Sequence, residues 1–158
     1  MGVGPSTKET TLHHFRDPLI EIVRKDPELD LIGVVIVGSP DDNDSKFFVS
    51  SRLGLLAEAF DIDGVLIHCE GFGNQHVDFA AHMEEFGQRD IPAVGLTFTG
   101  NGLVVSNQYM EGNVIDLEKT DQGMETAVVS QNSTVAVDVV RALRLLKNRL
   151  KAKKAGAR

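Results

Sequence analysis

Three short runs of apolar, largely β-branched residues recur along the amino-terminal part of the chain. They occupy residues 31–37, 64–68 and 93–98. Short continuous apolar runs are typical of strands that are buried on both faces of a parallel sheet. The intervening segments, residues 47–60 and 77–87, carry apolar residues at helical spacing. The alternation of strands and helices predicts an α/β fold, a three-layer sandwich around a mostly parallel sheet.

Further elements are predicted on both sides of this alternation. Asp17 and Pro18 suit a helix start, as N-cap and first helical residue. Residues 103–105 and 114–115 can add a hairpin or edge strands. The last segment predicts a C-terminal amphipathic helix after cap candidates at 132–134, because one stripe is apolar and the opposite face is rich in Arg and Lys. The stripe consists of Val135, Val139, Leu143, Leu146 and Leu150.

Length and composition favour one globular domain. The chain has 158 residues, of which 42% are hydrophobic and 25% charged, and these values are close to those of ordinary folded proteins. We expect a single α/β domain over residues 1–150 and a frayed basic tail over 151–158. No apolar run approaches the roughly 20 residues that cross a bilayer, and the amino terminus lacks a signal-peptide pattern, so we expect a cytoplasmic protein.

The charges are distributed unevenly. The formal net charge is −7, yet half of the 16 basic residues lie in the segment 141–158, in which there is no acidic residue. Such a segment can bind nucleic acid or acidic lipid, or it can be a solvated helix end whose cations suit the helix dipole. The acidic body repels phosphates, and no aromatic residues accompany the basic ones. We therefore expect neither nucleic acid nor a membrane as partner.

The loop that follows the second predicted strand is the leading candidate for a binding site. Ligands of open parallel sheets bind beyond the carboxyl ends of the strands. Here two glycines allow close approach of the backbone, Asn74 can cap the next helix, and the free N–H groups of its first turn favour an anion such as a carboxylate. A tight turn also needs glycine for steric reasons alone, so both interpretations stay open. The candidate ligand-binding residues are Glu70, Gly71, Gly73, Asn74, His76 and Asp78.

Other chemistries find less support in the sequence. Residues 38–45 contain three aspartates that can hold a cation or form a solvated turn, but their spacing is not that of a calcium loop, and we expect no metal site. The loop at 71–76 lacks the third glycine of dinucleotide-binding turns, and there is no phosphate-binding loop or serine hydrolase motif. Cys69 is either a nucleophile or a small buried hydrophobe. No catalytic residue can be assigned.

Several stretches together resemble a known family. They are residues 4–18, 70–80, 91–98, 103–110 and 132–146. Over these segments, which cover nearly the whole chain, the sequence is similar to the D-proline reductase proprotein family. The family also includes component B of the glycine, sarcosine and betaine reductases and shorter accessory homologues.

The resemblance implies a specific chemistry in the full-length members. Internal cleavage converts a cysteine into a pyruvoyl group that captures the substrate amine, and a selenocysteine or cysteine of a partner subunit then attacks the α-carbon. In this chain the single cysteine, Cys69, follows an apolar strand. From the resemblance we expect the chain to begin downstream of the family's processing site. We therefore expect no cofactor in this chain, with pyruvoyl only on a partner subunit.

The resemblance thus implies a subunit or accessory component of an amino-acid reductase system that cleaves a C–N bond reductively. We expect it to be inactive alone and to act in an oligomer, with larger reductase subunits and a small amino-acid or carboxylate ligand as partners. One alternative is a homo-oligomeric small-molecule-binding or regulatory module without reductase chemistry. Another is a free-standing enzyme that uses Cys69 as nucleophile.

Overall fold

A parallel sheet of three strands forms the centre of the molecule in a computed structural model. The structure describes residues 18–69, 73–99, 103, 105–117 and 134–156. The strands are β1 (Val65–Cys69), β2 (Ala93–Thr97) and β3 (Val114–Asp116), and the helices are α1 (Pro18–Arg24), α2 (Asn43–Ala59), α3 (Asn74–Gln88) and α4 (Ala136–Gly156). β2 lies between β1 and β3 and pairs in parallel with both.

The two faces of β2 are covered by different helices, as the alternation of side chains along a strand requires. Val94 and Leu96 pack into a core with α1 and α4, whereas Ala93 belongs to a second core with α3. Gly95 lies on the α3 side, where an added Cβ would come within 2.1 Å of the ring of Phe79. This glycine therefore lets α3 approach the sheet, and the predicted three-layer α/β sandwich is confirmed.

The prediction of a strand at residues 31–37 was wrong. The segment has no regular secondary structure among the described residues, and the side chains of its middle part, residues 32–36, are exposed, with Ile32 at 62%, whereas Leu31 and Val37 are half-buried. β-Branched residues favour strands because they fit a covered, pleated surface. Here α2 packs against α3 and contacts no described strand. Beyond Leu31, which packs against the first core, no described strand or helix covers most of the segment, so the preference is not realised.

The prediction for the chain after β2 was partly right. β3 is an edge strand, which confirms one of the two alternatives. The other alternative, a hairpin of residues 103–105 with residues 114–115, is not seen among the described residues. Leu103 and Val105 lie outside any strand, and residue 104 is not among the described residues.

The C-terminal helix is confirmed, and it is longer than predicted. Asp138 caps its start by accepting a hydrogen bond from the Val135 backbone N–H at 3.0 Å, and the helix continues through Gly156. Residues 151–156, which the sequence assigned to a frayed tail, are therefore helical. Of the predicted cap candidates, Thr134 lies before the helix, with its hydroxyl 2.7 Å from His68 Nε2. Asn132, Ser133 and Asp17, the predicted cap of α1, lie outside the described residues.

The basic residues of α4 contact the acidic body. Lys147 Nζ lies 2.5 Å from an oxygen of Asp26 and 3.0 Å from one of Glu28, and Lys153 Nζ lies 2.5 Å from the Asp90 carbonyl. These contacts tie the helix to the molecule's own surface. In the part of the chain that the structure describes, no helix is long and apolar enough to cross a membrane.

Candidate functional site

The candidate site lies at the carboxyl edge of the sheet. β1 ends there at Cys69 and β2 at Thr97, and both α2 and α3 begin on the same side. The loop that precedes α2 reaches this edge because Ser39 hydrogen-bonds to Asp78 of α3. The topology thus gathers loops and helix starts where parallel sheets place their ligands.

Gly73 sets the start of α3. It is the N-cap residue, with φ of 60° and ψ of −111°, a left-handed conformation that side chains disfavour. Among the described residues no side chain caps the helix, and its first turn holds no acidic residue. The prediction that Asn74 caps α3 was therefore wrong: Asn74 is the first helical residue.

The predicted site residues divide into exposed and buried ones. Gly73 and Asn74 are exposed at the start of α3. His76 and Asp78 point inward, and the His76 side chain lies beside Thr97, with a long Nε2 to Oγ1 distance of 3.5 Å. Glu70 and Gly71 lie outside the described residues.

A buried ion pair joins the two helices below this edge. Lys46 Nζ of α2 lies 2.5 Å from Asp78 Oδ2 of α3, and the two side chains are 0% and 8% exposed. Ser39 donates from its hydroxyl to the same oxygen at 2.5 Å and accepts from Lys46 at 3.0 Å. Two charges are removed from water here, and their cost is offset only by this close mutual contact.

The second carboxylate oxygen of Asp78 differs from the first in its hydrogen bonding. Oδ1 is buried and has no hydrogen-bond donor among the described residues. Buried acceptors without donors are rare in folded proteins, because each costs the free energy of its lost hydration. The site therefore offers an acceptor that a ligand's N–H group would satisfy.

A second polar pair lies one turn further along both helices. Ser50 Oγ lies 2.7 Å from His82 Nδ1 and 3.0 Å from the Lys46 carbonyl, and both side chains are buried. A hydroxyl has one proton, so when Ser50 donates to the carbonyl, Nδ1 of His82 carries the ring proton and donates to Ser50.

His82 is held in its neutral form. Burial is the main cause that lowers the pKa of the imidazole below its ordinary value of 6.5. The Lys46 ammonium acts in the same direction on this pKa, whereas Asp78 and Glu85 act against it.

The acidic loop before α2 has a structural role. The Asp42 carboxylate accepts a hydrogen bond from the Ser45 backbone N–H at 2.8 Å and caps α2. This bond is the main cause that lowers the pKa of Asp42. Among the described residues, no group of three or more His, Cys, Asp or Glu side chains is placed to hold a metal ion.

Sequence reasoning missed four residues that contribute to the buried cluster. Ser39 was noted only as part of an acidic loop, and Lys46, Ser50 and His82 received no role at the site. One signal was present: Lys46 stands four positions before Ser50 on the same helical stripe as Leu53 and Ala57, where a polar residue needs a buried partner. The sequence does not indicate which residue that partner is.

Comparison with known proteins identifies the family. Residues 2–143 match the family described as glycine/sarcosine/betaine reductase component B subunits. The chain belongs to this family. No solved structure matches the chain.

Two curated relatives of this component B family member are informative. The chain is 47% identical over 147 residues to the D-proline reductase proprotein PrdA of Acetoanaerobium sticklandii, a match that covers 92% of this chain and 23% of that protein. It is 34% identical over 97 residues to the sarcosine reductase complex component B subunit alpha of Peptoclostridium acidaminophilum, covering 60% of this chain and 23% of that one. The chain thus spans about a quarter of the length of these relatives.

Cys69 does not fit a pyruvoyl precursor in this family member. A pyruvoyl group forms at a new amino terminus, so the bond between His68 and Cys69 would have to break. That bond lies inside β1, where Cys69 is in register with Thr97. Cys69 Sγ lies 3.8 Å from Gln75 Oε1 and is partly exposed. We therefore derive no chemical step through a pyruvoyl group on this chain.

We predict that the buried ion pair governs the stability of this component B family member. Lys46→Met leaves the Asp78 carboxylate buried without its counterion, which typically costs about 3–5 kcal/mol. Adding Asp78→Asn should recover most of this loss, because no buried charge remains. Urea unfolding followed by circular dichroism measures the three variants. Lys25→Met is the control, since its ion pair with Glu21 is exposed and should leave the midpoint unchanged. An equal, small effect of Lys46→Met and Lys25→Met would contradict the prediction.

We also predict that His82 makes stability depend on pH. The folded state binds fewer protons at this group than the unfolded state, because the pKa of His82 is lowered from 6.5. The free energy of unfolding should therefore fall as pH drops below 6.5 towards the folded pKa. Well above pH 6.5 His82 is neutral in both states and should not make the free energy of unfolding depend on pH. Unfolding experiments between about pH 5 and pH 8 on the wild type and His82→Asn test this. Parallel curves for the two proteins would show that the prediction is wrong.

Proposed function

We propose that this chain is a cytoplasmic subunit of an amino-acid reductase system that cleaves a C–N bond reductively together with larger subunits. The observation that carries the proposal is the 47% identity, over nearly the whole chain, to a D-proline reductase proprotein. Membership of the component B family supports it independently. The polar cluster at the carboxyl edge of the sheet is the part of this chain that we assign to the ligand.

The start of α3 is suited to the carboxylate of an amino acid. The backbone N–H groups in the first turn of a helix have no partner inside the helix, and the helix dipole favours negative charge there. In α3 the His76 N–H already donates to the Gly73 carbonyl at 2.9 Å, which leaves the N–H groups of Asn74 and Gln75. Among the described residues neither a cap side chain nor an acidic side chain of the first turn competes for them, and the backbone around Gly73 and Asn74 is exposed. We propose that the ligand carboxylate binds these N–H groups, beside the predicted residues Glu70 and Gly71.

Asp78 is suited to the amine of the same ligand. Its Oδ1 lacks a donor among the described residues, while Oδ2 is held by Lys46 and Ser39. An amine is the chemical group that supplies N–H donors to such an oxygen. Ser39, on an exposed loop, is the neighbour whose displacement would admit the amine. His76 and Thr97 form the buried floor next to the helix start.

We propose that catalysis needs the other subunits. Reductive cleavage of a C–N bond consumes two electrons and two protons. It produces an amino group and a new C–H bond. The relatives are about four times as long as the matched segment, and one of them is by name a component of a reductase complex. In our proposal this chain orients the amino acid, and the pyruvoyl group and the electron-transferring thiols belong to partner subunits.

The proposal predicts that a backbone N–H group of α3 binds the ligand. Asn74→Pro removes the N–H of the first helical residue, a position at which proline is tolerated. In the complex reconstituted with the larger subunits, this variant should weaken binding of the substrate amino acid by at least about tenfold, since hydrogen bonds to a charged group contribute roughly 1.5–3 kcal/mol. Calorimetric titration with proline, glycine, sarcosine and betaine measures the affinity, and a dithiol-driven assay measures reduction.

Asn74→Ala is the matched control. It keeps the backbone N–H and removes only the side chain, which caps nothing, so affinity should remain close to that of the wild type. Equal affinity of the proline and alanine variants would overturn the assignment of the carboxylate to α3. Failure of the complex to form, or the absence of reduction of any of these substrates, would overturn the proposed function itself.

A further inference from the structure

The segment at residues 31–37 has the sequence of a buried strand, but only its ends are half-buried, with Leu31 packed against the first core, and its middle lies on the surface. It is apolar throughout, and Ile32, Val34, Val35 and Ile36 are each at least half exposed. No backbone hydrogen bond joins the segment to any described residue. An apolar, extended stretch with unpaired N–H and C=O groups is a template for pairing with another strand.

The outer face of α2 adds to this apolar surface. Phe47, Phe48, Leu55 and Leu56 are exposed there, and Phe60, the residue that follows the helix, is 63% exposed. Between the segment and the helix lies an open cleft of about 240 Å³. Its lining residues are Val35, Ile36, Val37, Gly38, Val49, Arg52, Leu53 and Leu56. Arg52, the one charged residue in this lining, lies over the Phe48 ring at 4.9 Å.

This combination fits one kind of occupant. In strand addition, main-chain hydrogen bonds supply affinity, and pockets for alternate side chains supply specificity. Residues 31–37 offer the main-chain groups, and the cleft beside α2 offers space for every second side chain of an incoming strand. The exposed phenylalanines of α2 extend the contact beyond the strand itself.

The charges at the two ends of the segment define the occupant further. Asp30 precedes it, and Asp41, Asp42 and Asp44 follow it. Two copies of this chain paired through the segment would bring acidic ends against acidic ends in either orientation, which is unfavourable. A strand with basic residues at both ends would complement them.

We infer that residues 31–37 and the cleft beside α2 form a docking site for an apolar β-strand, flanked by basic residues, from a partner polypeptide. The segment becomes a strand when this partner binds. Docking removes the exposed apolar side chains from water and pairs the backbone groups that have no partner among the described residues.

A defined peptide tests the inference. The probe is a fluorescent synthetic peptide of alternating valine and threonine residues with a pair of lysines at each end. The control peptide carries glutamates in place of the lysines. The lysine peptide should bind at least about tenfold more tightly, because opposite charges replace like charges at both ends. Hydrogen exchange should show residues 31–37 unprotected in the free protein and protected in the complex.

Two protein variants test whether the peptide binds in this cleft or elsewhere on the apolar surface. Leu56→Arg places a charge in the cleft and should abolish binding. Val137→Arg alters a comparably exposed apolar residue on α4 and should leave binding unchanged. Circular dichroism confirms that both variants fold.

Several results would overturn the inference. They are equal binding of both peptides, no added protection of residues 31–37, protection of these residues already in the free monomer, or self-association of the protein that Leu56→Arg disperses. None of these measurements uses reductase activity or amino-acid binding, so a negative result leaves the proposed function intact.

Discussion

The buried contact between Lys46 and Asp78 is the interaction on which one side of this molecule depends. Among the described elements, α2 packs against α3 and against no strand, so its position relative to the sheet is set through α3. The ion pair lies inside that contact, and the Ser39 hydroxyl ties the preceding loop to the same carboxylate oxygen. One carboxylate thus places a helix and a loop. A buried charge pair gives this placement a strict geometry, because any shift would leave both charges uncompensated.

The same contact explains why a residue that holds the helices together also belongs to the candidate site at the carboxyl edge of the sheet. Asp78 uses one oxygen for the architecture and leaves the other as an acceptor without a donor among the described residues. His82 and Ser50 extend the polar layer beneath, and burial keeps the imidazole neutral. The exposed start of α3 lies above this layer. In our proposal, a ligand that carries both a carboxylate and an amine binds the helix start and this carboxylate oxygen together.

The local spacing of apolar residues was sufficient to predict most helices and strands. It failed where a strand depends on neighbouring elements to cover and pair with it. β1, β2, α3 and α4 follow from apolar spacing, because each has a partner that covers its apolar side. Residues 31–37 carry the same signal and form no strand, since strand formation requires a neighbouring strand and a cover. His76 and Asp78 were found because their loop follows a strand. Lys46 was missed because it meets Asp78 across 32 residues of sequence, a distance that local pattern does not bridge.

The measurement that tests the account most directly is native mass spectrometry of the protein purified gently from its own host. We propose a subunit that acts inside an amino-acid reductase complex, so larger subunits should accompany the chain, with the pyruvoyl mass signature on one of them and none on this chain. An isolated chain or a homo-oligomer without such subunits would contradict the account and favour a binding module that keeps the fold without reductase chemistry.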